Sequence, residues 1–352
     1  MTRPPFLANI PQELHDTLAS HLSNNDLVNC SLVCKAWSKL FIPFIWRHVR
    51  RKNWIGNDEA FWDDVFLQSC EGGALRTHGH LICSLEVNDL ETFLEYAPPT
   101  LPSLTSAVFV DPDNGDEIIA DFIERCTGGL KELVITSNCN DLGISFGSCS
   151  ADALFKHAPT IEIVRMESAP CFESQDIQQL LCSAPNLKEL YLFGQERGVE
   201  NVDGCMDAHD IVASEWVCTE LEVFGCEIGE IPRPDITHDI AGRPSREFIR
   251  SGSRQKSIEL QRGVYSQFGR LTKLRELTLG NALRPDLDAD MWEHERLYDC
   301  LAMTLESGLD LMRGLKELEV VRLDAMEVYI DRDEEKAWVK ENWPKVKNVL
   351  SS

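Results

Sequence analysis

Positive charge is scarce in this sequence. Its 352 residues carry 34 lysines and arginines against 58 aspartates and glutamates, which gives a formal net charge of −24. Residues 1–60 have a net charge of +2, so the remainder of the chain, at −26, holds the whole acidic excess. A surface this acidic repels phosphate groups. The composition therefore argues against nucleic acids and anionic membranes as partners.

Long apolar runs are also missing. None approaches the roughly 18–20 residues that a membrane-spanning helix needs, and the residues before Pro11 do not have the pattern of a secretory signal. The 13 cysteines are an odd number, and no pair shows the C-x-x-C spacing of a zinc knuckle. We expect reduced thiols and a location in the cytoplasm and/or the nucleus.

Motifs for covalent catalysis are weak. Gly143–Gly147 has the letters of a hydrolase nucleophile elbow around Ser145. That elbow needs a strand that runs into the serine and a helix directly after it, and the neighbouring patterns place the strand end and the helix start too far away. We predict no catalytic residue, and a hydrolase is a distant third interpretation of the chain.

Metal sites are equally poorly supported. The acidic run 111–117 suggests a calcium loop, but Phe122 stands where such a loop needs a bidentate glutamate. A second candidate set is spaced irregularly, and we interpret it as structural thiols rather than a metal centre: Cys205, His209, Cys218 and Cys226. We predict no metal and no cofactor.

The first fifty residues predict a small helical unit with surplus apolar surface. Two apolar stripes at helical spacing follow Pro11: Leu14, Leu18 and Leu22, then Leu27, Cys30, Cys34, Trp37 and Phe41. Ser23 and Asp26 predict a capping box between them, and Pro43 is expected to break the second helix. A unit of about 45 residues cannot bury a self-sufficient core. Its extra apolar side chains indicate either a partner protein or packing on the rest of the chain.

These residues resemble the F-box family. The family pattern L-P-x-E-L, a leucine pair, D-L, V-C-K-x-W and a final tryptophan matches this sequence from Ile10 to Trp46, with Ile10 in place of a leucine. The resemblance implies a three-helix module that inserts into the Skp adaptor of a Skp–cullin–F-box (SCF) ubiquitin ligase. It assigns the adaptor contact to Ile10, Pro11, Glu13, Leu14, Leu18, Leu22, Leu27, Leu32, Val33, Cys34, Trp37, Leu40 and Trp46.

The rest of the chain repeats one phrase: apolar, two variable, apolar, one variable, apolar. Eight copies begin at Ile82, Leu104, Leu130, Ile161, Leu187, Leu221, Leu274 and Leu315. Amphipathic helix patterns lie between several copies. The phrase and its shorter spacings match the leucine-rich repeat, and the wider spacings make this an irregular version.

The predicted fold class is α/β: a three-helix F-box followed by an irregular leucine-rich-repeat solenoid with a parallel sheet. We place the F-box at 6–50, a helical connector at 51–80, the repeats at 81–330 and a C-terminal cap at 331–352. Residues 229–256 are rich in proline and glycine, and we interpret them as a flexible insertion in one repeat.

The variable letters of each phrase should face solvent on the concave side of the sheet. They are Glu86, Glu132, Arg165, Glu167, Glu189, Tyr191, Phe193, Glu227, Glu276, Glu317 and Glu319. The hypothesis is a protein target with a basic patch, anchored on Tyr191 and Phe193; the alternative is that these acids only keep the protein soluble. The whole chain then predicts a non-enzymatic substrate receptor of an SCF-type ligase that reaches a cullin through Skp. The alternative is an interaction scaffold that engages no cullin.

Overall fold

The computed structural model describes residues 11–49, 71–110, 115–136, 146–166, 172–193, 204–238, 242, 244–280, 297–324, 326–330, 332–347 and 349–350. Several predictions concern residues outside these ranges. They are the adaptor contact of Ile10, most of the connector, Ser145, the first part of the acidic run 111–117, and Glu167.

Helices and strands alternate along most of the chain. The α-helices are α1 (Gln12–Ser20), α2 (Asn24–Val33), α3 (Lys35–Arg47), α4 (Ala74–His78), α5 (Leu90–Tyr96), α6 (Asp116–Arg125), α7 (Ser148–Phe155), α8 (Ser174–Ser183), α9 (Ala208–Ala213), α10 (Glu247–Arg250), α11 (Arg254–Phe268) and α12 (Asp333–Asn342). The strands are β1 (His48–Val49), β2 (Ser84–Val87), β3 (Ser106–Val110), β4 (Glu132–Thr136), β5 (Ile163–Met166), β6 (Glu189–Tyr191), β7 (Cys205–Asp207), β8 (Val223–Gly225), β9 (Glu227–Gly229), β10 (Glu276–Gly280), β11 (Val320–Leu323) and β12 (Val349–Leu350).

Ten of the described strands form one sheet in the order β1-β2-β3-β4-β5-β6-β8-β10-β11-β12. Every pairing in it is parallel. Strands β7 and β9 pair separately, also in parallel. Because the strand order follows the chain, each repeat contacts mainly its neighbours, and the predicted parallel solenoid is confirmed.

One row of buried side chains runs through the sheet. The second apolar letter of each phrase pairs with the same letter of the next strand. These side chains have no exposed surface: Leu85, Ala107, Leu133, Val164, Leu190, Phe224 and Leu277. In β4, buried and half-buried residues alternate. One face of the sheet therefore packs against the helices, and the other is open.

The final copy of the phrase lies three residues later than predicted. Leu277 pairs with Val321 instead of Leu318. The buried letters are therefore Leu318, Val321 and Leu323, while Val320 is half-buried. Leu315 instead ends a 3₁₀ turn at Leu309–Gly314, where it caps the turn. The predicted alignment and the observed one each place leucine at two of the three apolar positions. The sequence spacing therefore could not distinguish them, and the prediction chose the wrong one.

The sheet extends beyond the repeats at both ends. At the first end, β1 directly follows α3 and pairs with β2, and Val49 belongs to the core of the solenoid. At the other end, β12 pairs with β11. Trp343, just after α12, is 1% exposed and packs against Trp338 in an edge-to-face pair. The predicted cap thus adds a helix and a strand to the stack.

We predicted that Pro43 would break the helix. Instead, α3 continues through Pro43 to Arg47. A proline inside a helix removes one backbone hydrogen bond. Pro43 and Lys39, the residue whose carbonyl loses that bond, are both exposed, so water can replace the missing donor.

Residues 229–256 are not simply a flexible loop. Arg233 has no exposed surface, and Ile236 and Ile249 are also buried. The backbone N–H of Arg233 donates to the carbonyl of Ile249 at 2.7 Å. Ser245 is buried, and its hydroxyl donates to the carbonyl of Ile236. Proline and glycine content predicted a flexible insertion, whereas the described part of this segment packs against the protein and contains α10.

Alternating charges stand just before successive strands. Glu162 accepts hydrogen bonds from Lys131 at 2.9 Å and from Lys188 at 2.6 Å, and these bonds lower the pKa of its carboxyl. Two strands later, Arg275 pairs with Glu319 at 3.2 Å. Exposed pairs contribute little singly, but here opposite charges face each other only when the repeats are in register.

A carboxylate from one repeat caps the helix of the next. The oxygens of Asp116, in the first turn of α6, accept the backbone N–H groups of Gly147, Cys149 and Ser150 at 2.9 Å each. Gly147 has no side chain that could cap α7 itself. Burial favours the neutral acid, but these hydrogen bonds outweigh it and lower the pKa of Asp116.

Replacement of Asp116 by alanine should destabilise the protein by about 1–2 kcal/mol, the usual cost of losing a helix cap. The lowered pKa means that the cap stabilises fully above its ordinary pKa of 3.8 and is lost as pH falls through the folded value. Urea unfolding at pH 7 and at low pH measures both effects. Asp121→Ala, which removes an exposed pair with Arg125 on the same helix, is the matched control. Equal stabilities of the two variants would contradict the capping role.

Candidate binding surfaces

The N-terminal module has a very small core of its own. Its buried apolar side chains are Ala19, Leu27, Phe41 and Ile45. Trp37 packs on Phe41 with a centroid distance of 5.7 Å in an edge-to-face arrangement. Four side chains cannot hide the apolar residues of three helices, so much of that surface must lie elsewhere.

The predicted capping box between α1 and α2 is confirmed. The hydroxyl of Ser23 accepts the N–H of Asp26 at 3.2 Å, and the carboxylate of Asp26 accepts the N–H of Ser23 at 3.1 Å. Hydrogen bonds from the side chain and the backbone of Ser23 lower the pKa of Asp26. The capping box fixes the residue at which α2 begins.

Large apolar side chains of this module are exposed to solvent. The exposed fractions are 55% for Leu14, 37% for Leu18, 77% for Leu32 and 63% for Val33. They lie on α1 and at the C-terminal end of α2, and Pro11 and Cys34 beside them are also exposed. We call these six residues the apolar strip. Several large apolar side chains exposed on one small module are typical of a protein-interaction surface.

The other residues predicted to contact an adaptor are less accessible. Leu22, Trp37, Leu40 and Trp46 are half-buried, and Glu13 is exposed. Leu27 departs from the prediction, because it is 4% exposed and belongs to the core of the module. Spacing alone cannot distinguish an inward from an outward leucine when the helices are so short.

Trp46 joins the module to the solenoid. It packs against the buried clusters of both parts. Its ring lies 5.6 Å from that of His78, which is in the α4 segment before the first repeat. Sequence reasoning missed this junction, although Trp46 and Val49 have the spacing that opens each repeat phrase.

The open face of the sheet carries a row of paired residues. By strand register the row runs from Glu86 through Val108, Val134 and Arg165 to Tyr191. All five are half-buried. The first half of this face therefore presents aliphatic side chains beside an acid, whereas the sequence predicted an open face on which glutamates dominate.

The centre of the open face is tied together by charge and aromatic contacts. Arg165 forms an ion pair with Glu189 at 2.5 Å, and its guanidinium carbon lies 5.0 Å from the ring centre of Tyr191. Tyr191 in turn lies over Gly225, where a Cβ atom would come within 2.4 Å of the ring. Any larger residue at Gly225 would displace the tyrosine.

Four residues predicted for this surface are placed differently. Phe193 is 1% exposed and packs edge-to-face on Tyr191, so it supports that ring rather than offering an anchor. Glu227 is buried. Glu317 lies before β11, outside the strand, and pairs with Lys345 at 2.5 Å. The shifted register of the last repeat explains Glu317, and it also places Glu319 before the strand.

Glu276 is on the open face, as predicted, but it is paired with Arg322 from the neighbouring strand. Glu132 accepts a hydrogen bond from Ser106. Arg322 therefore balances the charge of Glu276, whereas the neutral hydroxyl of Ser106 does not balance that of Glu132.

Two cysteines of the candidate metal set, Cys218 and Cys226, are buried free thiols. Cys226 is buried and its thiol donates to the carbonyl of Gly204 at 2.9 Å. Burial raises the pKa of the Cys218 thiol to about 12. Within the described ranges, no three His, Cys, Asp or Glu side chains gather where they could hold a metal ion. Among the described helices, none has the length and hydrophobicity to span a membrane.

Comparison with known proteins gives one family match. Residues 7–52 match the model of the F-box-like family. No curated protein matches the chain.

Two solved structures share distant similarity. The complex of Rad7 and Elc1 in yeast is 14% identical, with 99% of this chain and 73% of that chain covered and a TM-score of 0.35. A leucine-rich-repeat protein of Leptospira interrogans is 12% identical, with 77% of this chain and 89% of that chain covered and a TM-score of 0.14.

The two kinds of leucine in α2 give a direct test of this geometry. Leu27→Ala should destabilise the N-terminal module by about 2–4 kcal/mol, because it opens a cavity in a minimal core. Leu32→Ala, the same change on the same helix, should alter stability by no more than about 0.5 kcal/mol. Amide hydrogen exchange of residues 11–49, followed by mass spectrometry, measures both. Equal protection in the two variants would show that the burial of Leu27 has been misassigned.

Proposed function

We propose that this chain is the substrate-recognition subunit of an SCF-type ubiquitin ligase. In this proposal the N-terminal module docks an Skp adaptor, the adaptor recruits a cullin, and the solenoid holds the target protein. The chain itself carries out no chemistry and works in the cytoplasm and/or the nucleus. The observation that carries the proposal is the apolar strip, which lies within the segment that matches the F-box-like family.

The strip suits an obligate protein contact. Burying one leucine side chain contributes about 1.5–3 kcal/mol to the free energy of folding or binding. Three leucines and a valine of the strip are exposed to solvent. Because the core of the module is so small, its folding alone cannot cover them. A partner that covers them would complete the module as well as bind it.

The link between module and solenoid suits a proximity mechanism. The last helix of the module continues directly into β1, the first strand of the sheet, and Trp46 packs on both sides of the junction. A target on the sheet is thereby held at a fixed distance from the adaptor. Holding the target near the ubiquitin-transfer enzyme raises the effective concentration of one for the other. A stiff connection between the module and the solenoid maintains that concentration.

For the target, the proposal places the contact on the first half of the open face. Val108, Val134 and Ile163 offer half-buried aliphatic surface there, and Glu86 and Glu132 lie beside them. A segment with an apolar residue flanked by lysine or arginine fits this combination of surface and charge. The alternative function, an interaction scaffold without a cullin, uses the same two surfaces.

The adaptor contact can be tested with matched double variants. Leu32→Ala/Val33→Ala should weaken binding of a purified Skp adaptor at least 10-fold, because both side chains would lose buried contacts. Val212→Ala/Val217→Ala removes exposed apolar groups of the solenoid and should leave the affinity unchanged. Unchanged adaptor affinity in the first variant would refute the docking surface. Co-purification of a cullin with the wild-type complex separates the ligase from the scaffold.

The target surface needs a test that leaves the adaptor contact intact. Val134→Arg adds a bulky positive charge to the open face and should abolish the capture of proteins that accumulate when the proteasome is inhibited. Val217→Arg, the same change at an exposed valine outside the sheet, is the matched control and should preserve capture. Both variants should bind the adaptor normally. Full target capture by Val134→Arg would move the target site away from this face.

A further inference from the structure

A cavity of about 260 Å³ lies where four distant segments meet. They are the folded insertion with Arg233, the start of α11 with Arg254, residues 302–307, and the segment around Tyr329 and Arg332. Polar groups that converge from separate parts of a chain on a small cavity are typical of a ligand site. The cavity is distant in sequence from the N-terminal module and is formed on other residues than the open face.

Two of the three arginines here are already paired. Arg233 is fully buried and makes two hydrogen bonds with the carboxylate of Asp235, at 3.1 and 3.0 Å. Its remaining bonds include one to the carbonyl of Cys300 at 2.9 Å. This guanidinium is therefore a fixed part of the wall. Arg254 pairs with Glu306, but 67% of the arginine and 50% of the glutamate side chain are exposed.

Arg332 differs from the other two. Among the described residues, no carboxylate lies within ion-pair distance of it. Its guanidinium carbon lies 6.0 Å from the ring centre of Tyr329, and that of Arg233 lies 5.3 Å from the same ring. Tyr329 thus holds two guanidinium groups beside the cavity. With Asp235 and Glu306 counted, the lining keeps one excess positive charge on a protein of net charge −24.

We propose that this cavity binds a phosphate monoester group between Arg254 and Arg332. Such a group carries nearly two negative charges at pH 7 and three acceptor oxygens, so it can engage both guanidinium forks at once. A ligand carboxylate would gain little, because it would only replace the carboxylate of Glu306, which already pairs with Arg254. The exposed Arg254–Glu306 pair contributes little and can open for a stronger anion. The phosphate could come from a phosphorylated side chain of a partner protein or from a free metabolite.

The test is calorimetric titration of the full chain at constant ionic strength. One arm uses inorganic phosphate, and the other uses a phosphoserine peptide together with its unphosphorylated form. We expect saturable binding, weakened roughly 10-fold or more by Arg332→Gln or by Arg254→Gln. Glu306→Gln should tighten binding, because it removes the competing carboxylate. A purely structural role for these exposed residues would not produce that gain.

Arg313→Gln is the control, since Arg313 is exposed and lies outside the cavity. It should bind like the wild type. Binding of the phosphopeptide without inorganic phosphate assigns the site to a partner protein, and binding of inorganic phosphate at least as tight assigns it to a free phosphate. Two results would overturn the proposal: no saturable binding of either probe, or equal affinity in the Arg254→Gln/Arg332→Gln double variant. Neither depends on whether the chain binds an adaptor.

Discussion

The structure depends on parallel pairing of successive strands, in a register that holds from β2 to β11 except for one irregularity between Thr278 and Gly280 of β10. That register aligns the second apolar letter of every repeat into a single buried row, from Leu85 to Val321. A slip of one residue would turn each strand's buried set to the open face. The alternating charges before the strands and the cap that Asp116 makes on α7 both act between neighbouring repeats, so they favour the same register.

The N-terminal module shows the opposite balance. It shares the sheet through β1, which anchors it, but its own core is four side chains. What the module does not bury, it exposes at Leu14, Leu18, Leu32 and Val33. Packing of Trp46 and Val49 against the solenoid stabilises the module, although its outer helices leave large apolar side chains exposed. In the proposed function, the same exposed surface that weakens the isolated module forms the contact with the adaptor.

Charge is distributed more locally than the net value of −24 suggests. On the open face, Arg165 balances Glu189 and Arg322 balances Glu276, which leaves aliphatic surface beside Glu86 and Glu132 in the first half of that face. Near the C-terminal end, three arginines converge on one cavity within a strongly acidic protein. Long-range repulsion limits which anions approach, while short-range guanidinium contacts decide which are held.

The sequence by itself determined the repeat phrase, its helices, the capping box at Ser23 and the apolar excess of the first fifty residues. These features depend on local periodicity and on neighbours three or four residues apart. Only the tertiary structure decided that Leu27 and Phe193 are buried, that the last repeat begins at Leu318, and that Arg233, Arg254 and Arg332 surround one cavity. Those outcomes depend on contacts between segments far apart in the chain, and residue spacing carries no information about them.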